Sequence, residues 1–268
     1  MPELPEVETW RRLAQRAAAG KSIRKAVTAE DRIIFDQNDP ADLARQLRGQ
    51  EIIGTARRGK YSWLRLGNGK DLMLHFGMSG SLWWLHPEDP DPSHLKLQLH
   101  LSDGTRLAYR NLRRIGRIRY LDDAASTPPI STLGPDPLEE NLSLAWMRKQ
   151  LSKRNTPLTA ALVDETLFAG VGNWIADEVL YQARIDPQRC CRDLSAEEIK
   201  ILRSCLMRIL RKAVEVEADA GRFPKSWLFH YRWGKKALSD AAGEAIRFDQ
   251  VGGRTTAWVP SRCGLTPS

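Results

Sequence analysis

The segment His94-Leu-Lys-Leu-Gln-Leu-His-Leu101 alternates apolar and polar side chains without a break. A period of two residues is typical of a β-strand with one buried face. Asp103-Gly104 follows and favours a tight hairpin turn, so residues 105–109 are predicted to return as the next strand. Residues 61–66 and 71–76 flank Gly67-Asn68-Gly69 in the same way. These hairpins predict a sandwich or barrel of short antiparallel strands.

The pattern changes to helical after residue 126. Helices are predicted over residues 7–18, 142–152, 156–168, 174–183 and 196–220, the last of them capped by Ser195 and Glu198. The tail returns to strands at 245–250 and 254–259, around Gly252-Gly253. The predicted class is α+β: a β-sandwich domain over 1–125, a linker over 126–135, a helical domain over 136–222 and a terminal hairpin over 223–268.

The composition indicates a basic protein of two domains. Among 268 residues, 41 Lys and Arg face 33 Asp and Glu, a net charge of +8. This excess fits a polyanionic partner such as nucleic acid, although a basic protein without such a partner has the same composition. No apolar run of membrane-spanning length and no secretory signal occurs, so we expect a protein that is neither secreted nor in a membrane. The four cysteines show no C-x-x-C pair, which predicts no metal site and no disulfide framework.

The opening Met1-Pro2-Glu3-Leu4-Pro5-Glu6 carries a possible nucleophile. Removal of Met1 would leave Pro2 with a secondary amine, and an amine attacks carbonyl-like carbons to form a Schiff base. The reference pKa of an α-amino group is about 7.7–8.0, so much of it is neutral at physiological pH. Glu3 and Glu6 would supply proton carriers beside it. The alternative is an ordinary acidic helix start with no chemistry.

Three glycine-containing turns and one run of arginines are candidates for binding DNA. Gly170-Val-Gly-Asn173 joins two predicted helices and can offer N–H groups to a phosphate, or it is a plain connector. His75-Phe-Gly-Met-Ser-Gly80 can present Met78 at a loop tip as a wedge, although a buried methionine is the commoner case. Residues 110–119 contain five arginines, which favours phosphate contact over a merely solvated face. Gly252-Gly253 permits a tight turn that presents Arg254.

Taken in order, these landmarks resemble the formamidopyrimidine-DNA glycosylase / endonuclease VIII family over nearly the whole chain. The matching stretches are Pro2-Glu-Leu-Pro-Glu-Val-Glu-Thr9, Arg58-Gly-Lys60-Tyr61, His75-Phe-Gly-Met-Ser-Gly80, Arg113-Arg114-Ile115-Gly116, Leu133-Gly-Pro-Asp-Pro137, Gly170-Val-Gly-Asn-Trp-Ile-Ala-Asp-Glu178 and Gly253-Arg-Thr-Thr256. The resemblance implies a helix–two-turns–helix element and a bifunctional glycosylase/lyase of base-excision repair.

The resemblance also implies a role for each matching residue. Pro2 would attack C1′ of the damaged nucleotide, with Glu3 as general acid/base and Glu6 supporting proton transfer. Elimination at the β and then the δ position would cut the strand. The catalytic set also includes Lys60, at phosphate and lesion, and Arg254, which would form a phosphate clamp with Asn173. The positions carried over as DNA contacts are His75, His94, Arg114, Arg154 and Asn173, together with the wedge Met78, Arg113 and Ile115.

Four departures distinguish the chain from bacterial members of that family. Val259 and Arg262 stand where a zinc finger has cysteines, and the segment resembles the zincless finger of plant and fungal enzymes; no zinc and no other cofactor is expected. Ile115 replaces a wedge phenylalanine, and Thr159-Ala160 replaces Lys-Pro. The loop that closes over 8-oxoguanine is shortened between 218 and 229, which favours formamidopyrimidines and hydantoins as substrates.

The expected partner is double-stranded DNA that contains oxidised bases or abasic sites, bound by a monomer. A bacterial chain would lie in the cytoplasm with the nucleoid, and a eukaryotic one in the nucleus. The alternative function is a nucleic-acid binding protein that kept the helix–two-turns–helix element and lost the chemistry. Pro2, Glu3 and Lys60 favour the enzyme, because a pure binder has no use for them.

Overall fold

The computed structural model describes residues 2–233 and 239–263, and the chain divides into two compact units, 1–132 and 133–268. This division falls inside the predicted linker. The finer division into a helical domain and a separate terminal hairpin stays a prediction. In the part of the chain that the structure describes, no helix is long and apolar enough to cross a membrane.

The first unit is an antiparallel sheet with three helices. Its helices are α1 (Leu4–Ala18), α2 (Arg32–Phe35) and α3 (Pro40–Leu47). Its strands are β1 (Lys21–Thr28), β2 (Glu51–Arg58), β3 (Tyr61–Leu66), β4 (Asp71–His75), β5 (Gly80–Leu85), β6 (Leu95–Leu101), β7 (Arg106–Asn111) and β8 (Arg117–Leu121). The strand order is β5-β7-β6-β1-β2-β3-β4-β8. Strands from both halves of this order bury their side chains in one core with α1, which makes the unit a sandwich.

The hairpins that the sequence predicts are present. His100 pairs with Arg106 across the Asp103-Gly104 turn, and Arg65 pairs with Asp71 across Gly67-Asn68-Gly69. The strand predicted from His94 begins one residue later, because His94 takes a left-handed φ of 59°. Helix α1 begins at Leu4 rather than residue 7, since Pro5 is accommodated in its first turn.

In its described residues, the second unit has four α-helices and a two-stranded hairpin. The helices are α4 (Leu144–Leu151), α5 (Leu158–Leu162), α6 (Asn173–Ala183) and α7 (Ala196–Glu215), and the hairpin pairs β9 (Arg247–Val251) with β10 (Arg254–Trp258). Ser195 and Glu198 form the predicted capping box of α7. A hydrophobic cluster of Tyr181, Leu228, Ile246, Ala257 and Val259 joins the hairpin to α6.

Two predicted helices extend too far at their C-terminal ends. Helix α5 ends at Leu162 rather than residue 168, because the Asp164 carboxylate accepts the Thr166 N–H at 2.9 Å and its hydroxyl at 2.6 Å and so stabilises a turn. Helix α7 ends at Glu215 rather than near residue 220. Glu217 and Ala218 take left-handed φ values of 56° and 53°, which stop the helix. The terminal strand also begins at Arg247, two residues later than predicted.

Candidate active site

The start of α1 brings Pro2, Glu3 and Glu6 together. The Glu3 N–H donates to Oε2 of Glu6 at 2.9 Å, and Glu3 is only 1% exposed. The hydrogen bond fixes the backbone that follows Pro2, and it places one carboxylate a single turn of helix from the other. Met1 lies outside the described residues, so its removal stays an expectation. A secondary amine beside two fixed carboxylates can attack an electrophilic carbon and pass protons.

Lys60 lies at the tip of the β2–β3 hairpin. Arg58 pairs with Tyr61, so Gly59-Lys60 is a two-residue turn, and Gly59 supplies the left-handed φ of 57° that such a turn needs. The Arg57 guanidinium donates to the Gly59 carbonyl oxygen at 3.0 Å. The buried Arg57 side chain therefore fixes the backbone of the turn that carries Lys60.

The same Arg57 ties this hairpin to α1. Its Nε donates to Oε2 of Glu8 at 3.1 Å, and both side chains are at least 95% buried. Arg11 and Arg12 also bond this carboxylate, at 2.9 and 2.7 Å. Burial raises the pKa of Glu8, but the bonds from Arg11 and Arg12 and the charge of Arg57 outweigh it and hold the pKa at about 2. The ionised Glu8 thus links the helix of Pro2 to the turn of Lys60.

The predicted wedge residues lie on two touching loops. Met78 and Ile115 are 41% and 40% exposed, which rules out a buried Met78. A Cβ on Gly77 would lie 2.7 Å from the Ile115 carbonyl carbon, so the two backbones are in direct contact. The Arg113 N–H donates to Oγ of Ser79 at 2.9 Å. The three candidates therefore share one short stretch of surface.

Two buried polar side chains support these loops. The Asn111 amide donates to the Phe76 carbonyl oxygen at 3.0 Å and to the Tyr109 hydroxyl at 2.9 Å. The Tyr109 hydroxyl donates to the His75 carbonyl oxygen at 2.8 Å, and burial raises the pKa of Tyr109 above its ordinary range. A side chain on Gly116 would overlap both groups. His75 itself stacks on Tyr61, with ring centroids 4.7 Å apart, beside the Lys60 turn.

Arg114 and His94, which are also predicted to contact DNA, make internal contacts that the wedge residues do not. The Arg114 guanidinium donates to both oxygens of Asp31, at 2.9 and 3.1 Å, and Lys96 bonds the same carboxylate at 2.8 Å. His94 is exposed, and its carbonyl oxygen accepts the Asn111 N–H. Arg119 of the arginine run is also held internally, by Asp36 at 2.6 Å. DNA contacts by Arg114 and His94 stay predictions.

In the second unit, Asn173 and Arg254 meet. Nη1 of Arg254 donates to Oδ1 of Asn173 at 3.2 Å, although 81 residues separate them. Gly252 and Gly253 both take left-handed φ values, as the predicted turn requires, and a Cβ on Gly252 would lie 2.8 Å from the Ala160 Cβ. Asn173 begins α6, whose first N–H groups attract anions. The pair combines amide, guanidinium and helix end in one place.

Arg154, the other DNA contact predicted in this unit, pairs with Asp164 at 2.8 Å. Its guanidinium is thereby directed toward the turns that connect α5 to α6. A DNA contact by Arg154 stays a prediction.

A buried carboxylate anchors the hairpin of Arg254. Oδ2 of Asp177 accepts the Ala257 N–H at 3.0 Å and two N–H groups of Arg232 at 3.1 and 2.6 Å. Burial raises the pKa of Asp177 to about 6, and the charge of Arg232 and these bonds limit the rise. The neighbouring Glu178 accepts the Phe229 N–H at 2.8 Å. The sequence analysis did not predict either role, because an acidic residue within a helical pattern is usually interpreted as solvated.

The positions where bacterial relatives of the predicted family carry zinc ligands hold other contacts. Val259 is 2% exposed in the hydrophobic cluster with Tyr181. Nη1 of Arg262 donates to the Tyr181 hydroxyl at 3.0 Å and to Oδ2 of Asp240 at 3.3 Å, and the guanidinium lies 4.3 Å from the Tyr181 ring centroid. Across residues 2–233 and 239–263, no group of three or more His, Cys, Asp or Glu side chains could hold a metal ion.

The segment predicted to contain a shortened closing loop is packed by aromatic rings. Phe223 lies 5.0 Å from Trp227, 4.8 Å from Phe229 and 5.7 Å from Trp174, measured between ring centroids. Phe223 and Trp227 are 2% and 6% exposed. Residues 220–222 and 228–230 form single 3₁₀ turns. Phe223, Trp227 and Leu228 therefore pack in the core of the unit, whereas residues 219–222, 225 and 226 of the segment are exposed.

Comparison with known proteins assigns the family. A family model described as "Formamidopyrimidine-DNA glycosylase N-terminal domain" matches residues 1–118, and one described as "Formamidopyrimidine-DNA glycosylase H2TH domain" matches residues 133–225. The chain belongs to the formamidopyrimidine-DNA glycosylase family. A formamidopyrimidine-DNA glycosylase of Arabidopsis thaliana is 36% identical, over 97% of this chain and 70% of the relative. One of Heliobacterium modesticaldum is 34% identical, over 98% and 99%.

Solved structures of this glycosylase family agree. The Lactococcus lactis enzyme bound to DNA with an abasic site superposes with a TM-score of 0.84 at 28% identity, over 97% of this chain and 98% of that one. Its complex with DNA containing Fapy-dG matches with the same TM-score and identity, over 97% and 99%. The predictions of family and fold class are confirmed.

Proposed function

We propose that Pro2 is the nucleophile of this base-excision repair glycosylase, and that it excises oxidised bases and then cuts the DNA strand. The observation that carries the proposal is the hydrogen-bonded Glu6–Glu3 arrangement directly after Pro2, in a chain that belongs to this glycosylase family. The L. lactis complexes with abasic-site and Fapy-dG DNA support damaged double-stranded DNA as the substrate.

Each step of the proposed reaction has a candidate group. The Pro2 nitrogen bonds to C1′ and loses its proton while the bond from C1′ to the base breaks, and the electron pair of that broken bond leaves with the base, which is protonated. The bond from C1′ to the ring oxygen O4′ then breaks, O4′ takes up a proton, and C1′ and the Pro2 nitrogen form an iminium. The iminium that results acidifies the C2′ proton. Glu3 takes this proton, assisted by Glu6, and the bond from C3′ to oxygen breaks; a second elimination breaks the bond from C5′ to oxygen. Lys60, on its fixed turn, binds phosphate near the lesion.

The surface groups supply the energy for base flipping. Extruding a base costs a few kcal/mol of stacking and pairing. In the proposed complex Met78, Arg113 and Ile115 fill the gap, and Asn173 and Arg254 bind the flanking phosphates with charge-assisted bonds. His75, His94, Arg114 and Arg154 add further contacts to DNA.

The test is cutting of a duplex that contains one abasic site. The proposal predicts products of β,δ-elimination from the parent protein, and their loss with Glu3→Gln while binding to the duplex persists. A parent that binds this duplex without cutting it would instead support an inactive damaged-DNA binding protein.

We further propose that formamidopyrimidines and hydantoins are better substrates than 8-oxoguanine. Hydantoins and ring-opened purines stack and pair poorly, so they are already easier to extrude. The packing of Phe223 and Trp227 in the core supports this preference, because these two large side chains are held in the core and not presented to a flipped base. Single-turnover excision opposite cytosine tests it: equal rates for 8-oxoguanine and a hydantoin would contradict the preference.

A further inference from the structure

A basic cavity lies along the exposed face of α7, and none of the residues proposed for the glycosylase reaction lines it. Its volume is about 700 Å³, within the range of ligand-binding pockets. Its lining consists of Arg203, Ser204, Met207, Arg208, Arg211, Lys212 and Glu215 from α7, and Pro224 and Trp227 from the segment that follows.

The charges that line this α7 cavity are unbalanced. Four cationic side chains and one carboxylate, that of Glu215, line the cavity. The Glu215 carboxylate pairs with the Lys212 side chain at 2.8 Å. The Arg211 side chain is exposed and makes no hydrogen bond or ion pair within residues 2–233 and 239–263. Clustered like charges repel one another in the free protein, and an anionic ligand would relieve that repulsion.

The apolar side chains of the lining further restrict the chemical class of the ligand. Met207, Pro224 and Trp227 face the same cavity, and Trp227 is held by its ring contact with Phe223. A nucleic-acid backbone offers phosphates but no apolar group to these apolar side chains. An extended peptide can enter it and supplies both carboxylates and apolar side chains.

A second cavity continues the first. It has a volume of about 500 Å³ and shares Arg208 and Trp227 with the α7 cavity. Arg184 and Arg262 add two further cations to its lining. The two cavities together form a track that suits an extended segment better than a compact ligand.

The track is distant from the proposed phosphate clamp. Arg208 donates to Oε1 of Gln182 at 2.8 Å, in the last turn of α6, whereas Asn173 begins that helix. Nine residues of helix separate the two positions, about 14 Å at 1.5 Å per residue. An occupant of the track can therefore be bound while Asn173 and Arg254 hold DNA.

We propose that the α7 cavity binds an acidic peptide segment of a partner protein, in which Asp and Glu residues alternate with apolar ones. Carboxylates meet Arg208 and Arg211, and apolar side chains lie against Met207 and Trp227. The interaction would bring a partner to the glycosylase without displacing its DNA.

Fluorescence anisotropy with a labelled peptide of alternating Glu and Leu tests the proposal. We expect Arg211→Glu and Arg208→Glu each to weaken peptide binding by about tenfold or more. Cleavage of abasic DNA should stay at the parent rate. A peptide with Ser in place of each Leu should bind less tightly to the parent.

The matched control is Arg48→Glu. Arg48 lines a basic cavity of about 460 Å³ in the first unit, with Arg24, Lys25, Arg45 and two alanines, so the substitution makes the same change in net charge without touching α7. Equal weakening by Arg48→Glu would show general charge attraction and overturn the proposal. The proposal is also overturned if the parent binds the Ser peptide as tightly as the Leu peptide. It is likewise overturned if undamaged duplex displaces the peptide and Arg211→Glu binds that duplex more weakly than the parent does.

Discussion

The hairpins that present Lys60 and Arg254 are built on different supports. The β2–β3 hairpin belongs to an eight-stranded sheet, and the buried Glu8–Arg57 pair only fixes its turn. The β9–β10 hairpin is a two-stranded sheet, which is marginal in water by itself. It depends on contacts with α6, through Asp177 and the hydrophobic cluster of Tyr181.

The comparison shows that two hairpins, each with a cationic side chain at its tip, are held in place by different contacts. In the first unit, cross-strand pairing on both sides of β2 and β3 holds the backbone, so a buried ion pair is left to set local geometry. In the second unit, a buried carboxylate and its arginine hold the hairpin as a whole. We therefore expect anchor substitutions in the second unit to affect stability most.

The largest loss of stability is expected from Asp177→Ala. The substitution leaves Arg232 buried without its carboxylate and the Ala257 N–H without its acceptor, a loss of about 3–5 kcal/mol. Denaturant unfolding measures it. Asp249→Ala removes one bond from Trp258 Nε1 in the same hairpin and should cost only about 1 kcal/mol. Equal costs for the two variants would refute the anchoring role of Asp177.

Arg57→Met is expected to cost less stability and more activity. Glu8 keeps Arg11 and Arg12, so the loss in unfolding free energy is about 1–3 kcal/mol. The Gly59 carbonyl oxygen loses its donor, and a less fixed Lys60 turn should lower kcat for abasic-site cleavage. Arg12→Met is the control, because Arg12 bonds the same Glu8 but not Gly59. Equal kcat values for Arg57→Met and Arg12→Met would show that the Glu8–Arg57 pair does not position Lys60.

Arg254→Ala should weaken DNA binding without affecting the fold. A charge-assisted bond to phosphate contributes about 1.5–3 kcal/mol, and loss of one phosphate contact should flatten the log–log salt dependence by about one unit. Lys200→Ala removes an exposed cation elsewhere in the second unit and should change neither quantity by as much. Parent-like affinity and salt slope in the Arg254 variant would place this side chain outside the DNA interface.

The smallest expected effect is that of a metal chelator. Val259 packs in a hydrophobic cluster, and Arg262 binds Tyr181 and Asp240, so the terminal hairpin has contacts that do not involve a metal. We expect an unchanged Tm with chelator and far less than one zinc per chain by elemental analysis. A chelator-induced fall in Tm would contradict this expectation.

Local patterns predicted β3, β4, β6 and β7 and their turns, but did not locate β1, β2 or β5. The alternation at 95–101, the Asp103-Gly104 turn and the paired glycines before Arg254 each specify backbone geometry within a few residues. The same logic failed where a side chain competed with the helix. Asp164 ended α5 early by bonding Thr166, and helical periodicity does not show such a bond.

The contacts that support the site could not be predicted from sequence. Glu8 meets Arg57 across 49 positions, and Asp177 meets the Ala257 N–H across 80. Both carboxylates lie in helices where an acidic residue is usually solvated, and only tertiary packing brings their partners near. The family resemblance, by contrast, supplied Lys60 as a candidate and assigned roles to Pro2 and Arg254, which local patterns had already indicated, without any account of what holds them.

The role of Pro2 as the nucleophile is tested most directly by borohydride reduction with abasic-site duplex. The processed protein should form a covalent complex whose DNA maps to the peptide that begins with Pro2. Prior acetylation of the N-terminal amine should abolish this complex, because an amide nitrogen cannot form the iminium. Trapping that is undiminished after acetylation, or attachment at a lysine, would contradict the account.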